Sequence, residues 1–157
     1  MPDNTIYNLL LTAHSWTRWF ILLLALAVLF KSYKGWIEQS PFGKGDNALS
    51  AAWVGLILFN ALTGFVLYEI SPLLNNPSVD AMSFGEIMKN KMLRFWKVEH
   101  LTLMLLAAVI AQFGRIRIKR QNTDTKRHKV SALYFTIGFI LILAGIPWAE
   151  TGRLFRF

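Results

Sequence analysis

The sequence predicts an all-α protein, an integral membrane four-helix bundle with both termini on the outer side. Three observations predict it. The hydrophobic residues, 54% of 157, gather in four blocks, each near the roughly 20 residues a helix needs to cross the hydrocarbon. Two of the blocks, Ala48 to Tyr68 and Val130 to Ala149, carry no charged residue. The basic residues crowd into two of the three connections, and basic connections stay cytoplasmic. The length suits a single transmembrane domain over 1–157.

The first helix is expected over about 8–30. Its apolar stretch, LLLTAHSWTRWFILLLALAVLF from Leu9 to Phe30, is broken only by His14 and Arg18. No Lys or Arg comes before Arg18 and no small-residue cleavage site follows the run, so the segment reads as a retained helix, not a cleavable signal. The second helix is expected over about 48–69. Within it, FNALTG offers Asn60 and Thr63 for hydrogen bonds between helices. Gly55 and Gly64 here, with Gly138 and Gly145 in the fourth helix, permit close helix approach or leave room for a flat ring. The third helix, about 94–115, is interrupted within Val98 to Gly114 only by Glu99 and His100. The fourth, about 130–149, ends near Pro147, which cannot continue a helix.

The connections divide by charge. Lys31 to Asn47 and Arg115 to Lys129 hold ten of the seventeen Lys and Arg residues, seven of them in RIRIKRQNTDTKRHK. These read as the cytoplasmic side, in contact with anionic headgroups. Aromatic residues are missing from the second run, which argues against nucleic acid. His128, written KRHK, reads as a solvated residue at a helix start. The outer connection breaks at its prolines and asparagines, and from about Met82 to Trp96 its spacing fits a short interfacial helix. Trp16, Trp19, Tyr68, Trp96 and Trp148 fall near the outer boundary, where amphipathic rings settle. Cysteine is absent, which excludes disulfides, thiolate metal sites and thiol nucleophiles.

Ionisable groups inside a membrane segment are costly and face the bundle interior. His14 precedes Lys31 by seventeen positions and His100 precedes Arg115 by fifteen, roughly 25 and 22 Å of helix. On helices running in the same direction, the two imidazoles reach the same depth within about one turn. Two histidines so placed suit axial ligation of a b-type haem, with apolar walls that exclude water. Haem propionates need cations, and Arg18, Arg94, Lys97, Arg153 and Arg156 all lie towards the same side. The rival use of Arg18 is an ion pair with Glu99. A bare metal site of His14, His100 and Glu99 is weaker, since zinc and copper sites need three or four ligands in tight geometry.

The segments HSWTRW, LRFWKVEH, GRIRIKR and IPWAETGRLFRF resemble a family of small bacterial four-helix membrane proteins, the cytochrome b or cytochrome b561-like proteins. The resemblance runs from about Tyr7 to the C-terminus. It implies one haem b in a four-helix bundle, with His14 and His100 as the matching axial ligands. The chain departs from the eukaryotic-type cytochrome b561 pattern, which uses two haems and four intramembrane histidines. Here the inner halves of the helices hold none.

The expected function is electron transfer in the bacterial cytoplasmic membrane. A quinol and an external acceptor are the expected redox partners, with the chain part of a larger membrane complex or a homo-oligomer. Two rivals are an accessory subunit without catalytic role and a quinone- or lipid-binding protein without haem. No Ser–His–Asp order, phosphate-binding glycine loop or paired catalytic carboxylates can be assembled. Helices one and three each carry an outer His, an apolar run and a basic end, a faint sign of a duplicated hairpin.

Overall fold

A computed structural model describes residues 4–148 and Glu150. The described residues contain helices and no strand. Helix α1 is Asn4–Ile37 and α2 is Lys44–Ile70. Three short helices follow, α3 (Pro77–Asp80), α4 (Phe84–Lys89) and α5 (Lys91–Arg94). A π turn, Phe95–Glu99, leads into α6 (His100–Lys119), and α7 is Asp124–Gly145. Four helical spans, α1, α2, the run from α5 through α6, and α7, are long and apolar enough to cross a membrane.

The helices outrun their apolar blocks at the end where the basic residues lie. Hydropathy marks the apolar surroundings, whereas the backbone ladder stops where a capping geometry stops it. In α1 that stop is Gln39, whose φ of 54° is left-handed. There the Ser40 N–H closes on the Gly35 carbonyl at 3.1 Å, and Pro41 follows. Helix α2 starts at Lys44 because the Asp46 carboxylate accepts the Gly43 N–H at 2.9 Å. The same carboxylate pairs with Lys31 of α1 at 2.9 Å. Helix α7 starts at Asp124, six residues before the expected boundary, where the Thr123 side chain caps the Lys126 N–H.

Around the bundle the order is α1, α2, α6, α7, so α1 faces α6 and α2 faces α7 across the diagonals. Ala25, Ala107 and Ala111, all fully buried, let the helices approach closely. Trp53 of α2 and Phe135 of α7 fill the middle, with ring centroids 4.9 Å apart. The Trp53 indole donates to the Ile21 carbonyl at 3.1 Å, so the largest buried side chain has its polar atom satisfied. Phe20, Leu23, Leu58, Leu62, Val109 and Leu133 point outwards and are exposed. Such a belt exceeds what scattered surface hydrophobics explain.

At the basic end the helices are tied by side chains. Ser32 and Ser131 meet at 2.7 Å, and Arg115 donates to the Ser50 hydroxyl at 2.9 Å and the Asn47 carbonyl at 3.1 Å. His128 corrects the expectation of a solvated residue. It is 2% exposed, its ring lies 4.9 Å from that of Phe42, and a methyl at Gly35 would overlap it. The reason is helical periodicity. His128, Ser131, Ala132, Phe135, Gly138 and Ile142 all fall on the buried face of α7, whatever cations adjoin them in sequence.

The opposite end is covered by the segment between α2 and α6. Leu74, Val79 and Leu93 form a small second core against Tyr68, Leu73, Ile87 and Trp96. The single helix expected from Met82 to Trp96 is broken at Asn90. That side chain accepts the N–H groups of Met92 and Leu93, both at 3.1 Å, and so starts a new helix. Ser83 and Glu86 cap α4 reciprocally, and hydrogen bonds from Ser83 hold the Glu86 carboxyl below its ordinary pKa.

Candidate functional site

His14 of α1 and His100 of α6 meet across the bundle, their ring centroids 6.4 Å apart and their planes at 67°. The equal depth counted from the basic helix ends is what brings them together. Each imidazole is anchored to the helix that follows its own span. His100 Nδ1 lies 2.8 Å from the Gly145 carbonyl of α7. A carbonyl only accepts, so this nitrogen carries the proton and Nε2 keeps its lone pair. His14 Nδ1 lies 3.4 Å from the Thr63 hydroxyl of α2. The Thr63 hydroxyl reaches the Asn60 carbonyl at 3.0 Å and the Phe59 carbonyl at 3.2 Å. It has one proton to give them, so its oxygen accepts from His14. In both residues Nε2 is the nitrogen left for a ligand, and the Nδ1 bond sets the tautomer.

The backbone before His100 has its own device. Its N–H bonds to the Phe95 carbonyl, five residues back, which closes the π turn. The Phe95 and Trp96 rings come within 5.9 and 5.3 Å of the imidazole. Turns of this type are found mostly inside α-helices and often at functional sites. The same turn decides the fate of Glu99. Arg94, five residues earlier, bonds its carboxylate at 2.7 Å, a spacing that one π turn brings into reach. Glu99 pairs with Arg94, where the sequence reading weighed Arg18 as its partner.

Glycines occupy the other diagonal. A methyl at Gly64 of α2 would sit 3.0 Å from His14 Cε1. At Gly145 of α7 it would overlap Met104 and press on Leu103. Two helices contribute imidazoles and the two between them contribute glycine backbone, against which His14 and Met104 pack where a methyl would otherwise sit.

Two limbs of one cleft meet at the histidines, and His14, Gly64, Tyr68, Trp96 and His100 line both. The larger runs towards the bundle's middle between Ile21, Ile57, Asn60 and Ile142. The smaller runs under the covering segment past Tyr7, Leu11, Ser71 and Leu74. Small-molecule and cofactor sites are mostly apolar with a few polar groups, and both limbs have that character. Arg18 lines the larger limb, its guanidinium 5.5 Å from the Trp19 ring centroid. Among the described residues lining the two limbs, Arg94 and Lys97 do not appear. Arg94 is held by Glu99 and by the Met88 carbonyl at 3.2 Å. Arg153 and Arg156 lie outside the described residues.

A metal held between two imidazole nitrogens, with bonds of about 2.0–2.1 Å, places the ring centroids about 6–6.5 Å apart. The observed 6.4 Å fits that arrangement. Among the described residues no group of three or more His, Asp and Glu side chains converges. Two imidazoles suit a metal whose other positions are filled by a macrocycle better than a bare ion. Sequence reasoning missed the Gly145 carbonyl, because a backbone acceptor leaves no signature. Trp96 and Tyr68, read from sequence as boundary anchors first and pocket walls second, both wall the cleft. Comparison of the chain with models of protein families, with curated proteins and with solved structures finds no match.

Proposed function

We propose that this chain is an integral membrane cytochrome that holds one haem b between His14 and His100 and transfers electrons. The observation that carries the reading is the pair of imidazoles from opposite helices, 6.4 Å apart, each with Nδ1 engaged. The haem would supply a one-electron couple. The chain's own residues supply the rest. Thr63 and the Gly145 carbonyl orient the rings and raise their basicity as ligands. Gly64 lets His14 sit close against α2, and Gly145 lets Met104 sit close against α7. The isoleucines and Met104 keep water from the larger limb, and Arg18 brings a guanidinium suited to a carboxylate side arm. His14 and His100 would together hold the group, and the chemistry it would supply there is electron carriage.

In the same reading the exposed apolar belt faces lipid, and the connections at the basic end face the cytoplasm of a bacterial cell. The histidine end and both termini then face outwards. Donors and acceptors follow from this placement: a quinol in the bilayer, or a redox protein outside, with the chain alone, self-associated or within a larger membrane complex.

Absorption spectroscopy of the protein purified from haem-replete cells tests the proposal. The expected result is a sharp Soret band and α-band on dithionite reduction, both lost in His14→Ala and in His100→Ala. A colourless wild-type preparation would refute it and would favour the accessory-subunit reading.

A further inference from the structure

The walls of the larger limb are unequal, and the difference indicates a route. Towards α1 and α7 the limb is closed by Ile21, Ile142 and Ile146, each no more than 5% exposed. Towards α2 and α6 its lining includes Phe65 and Leu105, which are 54% and 51% exposed and therefore belong to both the cleft and the outer apolar belt. These two helices also make the sparsest contact of the four neighbouring pairs. Between them the small side chain of Ala61 lines the limb. The smaller limb differs. Ser71 and Leu74, both under 7% exposed, line it, and Leu74 is held in the small core formed with Val79 and Leu93.

We propose that the ligand of this site enters sideways from the bilayer, through the gap between α2 and α6 bordered by Ala61, Phe65 and Leu105. The covering segment from Ser71 to Arg94 is then a fixed cap on the water side. The inference rests on the haem reading and on the membrane reading, and it adds a path and a source: the ligand is a lipid-dissolved, largely apolar molecule, taken up from the hydrocarbon. Side chains that rotate on a lipid-facing surface move fast compared with the opening of a packed core, so a gap lined by two half-exposed side chains is the low-barrier way in.

The test is the rate at which full-length apo-protein in liposomes takes up haem b that has been dissolved in the same bilayer, followed by the Soret band. Phe65→Ala and Leu105→Ala widen the gap and are expected to speed uptake several-fold. Ala61→Trp fills it and is expected to slow uptake several-fold. Val79→Ala and Leu93→Ala loosen the cap and are expected to leave the rate unchanged. Faster uptake in the cap variants, with none in the gap variants, would overturn the lateral route in favour of entry from water. Thermal unfolding of each variant separates a changed rate from a misfolded chain. If wild-type protein gives no Soret band at all, the haem reading fails, and the lateral route for this ligand falls with it. If wild type binds and the gap variants behave like wild type, only the route fails.

Discussion

His128 and His100 are the same residue type at the start of neighbouring helices, and the bundle treats them oppositely. His128 is sealed between Phe42 and the backbone of Gly35, and neither ring nitrogen has a hydrogen-bonding partner among the described residues. His100 has one nitrogen fixed by the Gly145 carbonyl and its ring on the wall of a cleft. The contrast extends to the two halves of the molecule. Around Trp53 and Phe135 the helices close on large side chains and small backbones, and the indole N–H is spent on the Ile21 carbonyl. Around His14 and His100 the rings border a cleft walled by Tyr68 and Trp96. An imidazole is a ligand candidate only where one nitrogen is committed and the other borders space.

Several substitutions would break or sharpen that contrast. Trp53→Ala empties the packed half and is expected to cost about 3–5 kcal/mol, read as a lower unfolding temperature in detergent. On the haem proposal, the absorption bands should persist below that temperature, because the indole is not among the residues that line the cleft. Gly35→Ala drives a methyl into the His128 ring and is expected to cost about 1–3 kcal/mol, by the same measurement. His128→Leu removes a buried polar ring without partners and is expected to gain about 1 kcal/mol. On the haem proposal, the same type of change at His100 is expected to abolish the absorption bands. Equal losses at the two histidines, in stability or in colour, would dissolve the distinction. The smallest expected effect is Gln39→Gly, which relieves a left-handed residue and gains about 0.5–1 kcal/mol while leaving both halves as they are.

The four spans were legible because about 20 apolar residues in a row have few other uses. The meeting of His14 and His100 was legible because helix rise is constant, so counting residues from a common reference measures depth. Their anchors were legible only in part. Thr63 could be seen as a donor or acceptor facing another helix, but not assigned to His14, since rotation about the helix axis is decided by packing. The Gly145 carbonyl could not be seen at all. His128 was read from its neighbours in sequence, Lys126, Arg127 and Lys129, when its neighbours in space lie three, four and seven residues on. The π turn was illegible for a related reason. Phe95 to Glu99 has no composition that separates it from an α-helical turn, and only the closing bond from His100 to Phe95 reveals it. That extra residue per turn carries Glu99 to Arg94.

The anchoring of each imidazole has a consequence for how the molecule divides. His14 is tied to α2, the helix joined to its own by the connection at 38–43, and His100 is tied to α7, joined to its own by the connection at 120–123. Each helical hairpin thus contains one complete half of the pair, ring and anchor together, and neither half suffices to hold a metal. On the haem proposal, cutting the chain within the segment that links them is expected to give two modules whose colour reports their docking: pale apart, coloured together. A protein built by doubling a hairpin would have begun as two copies that could act only by finding each other.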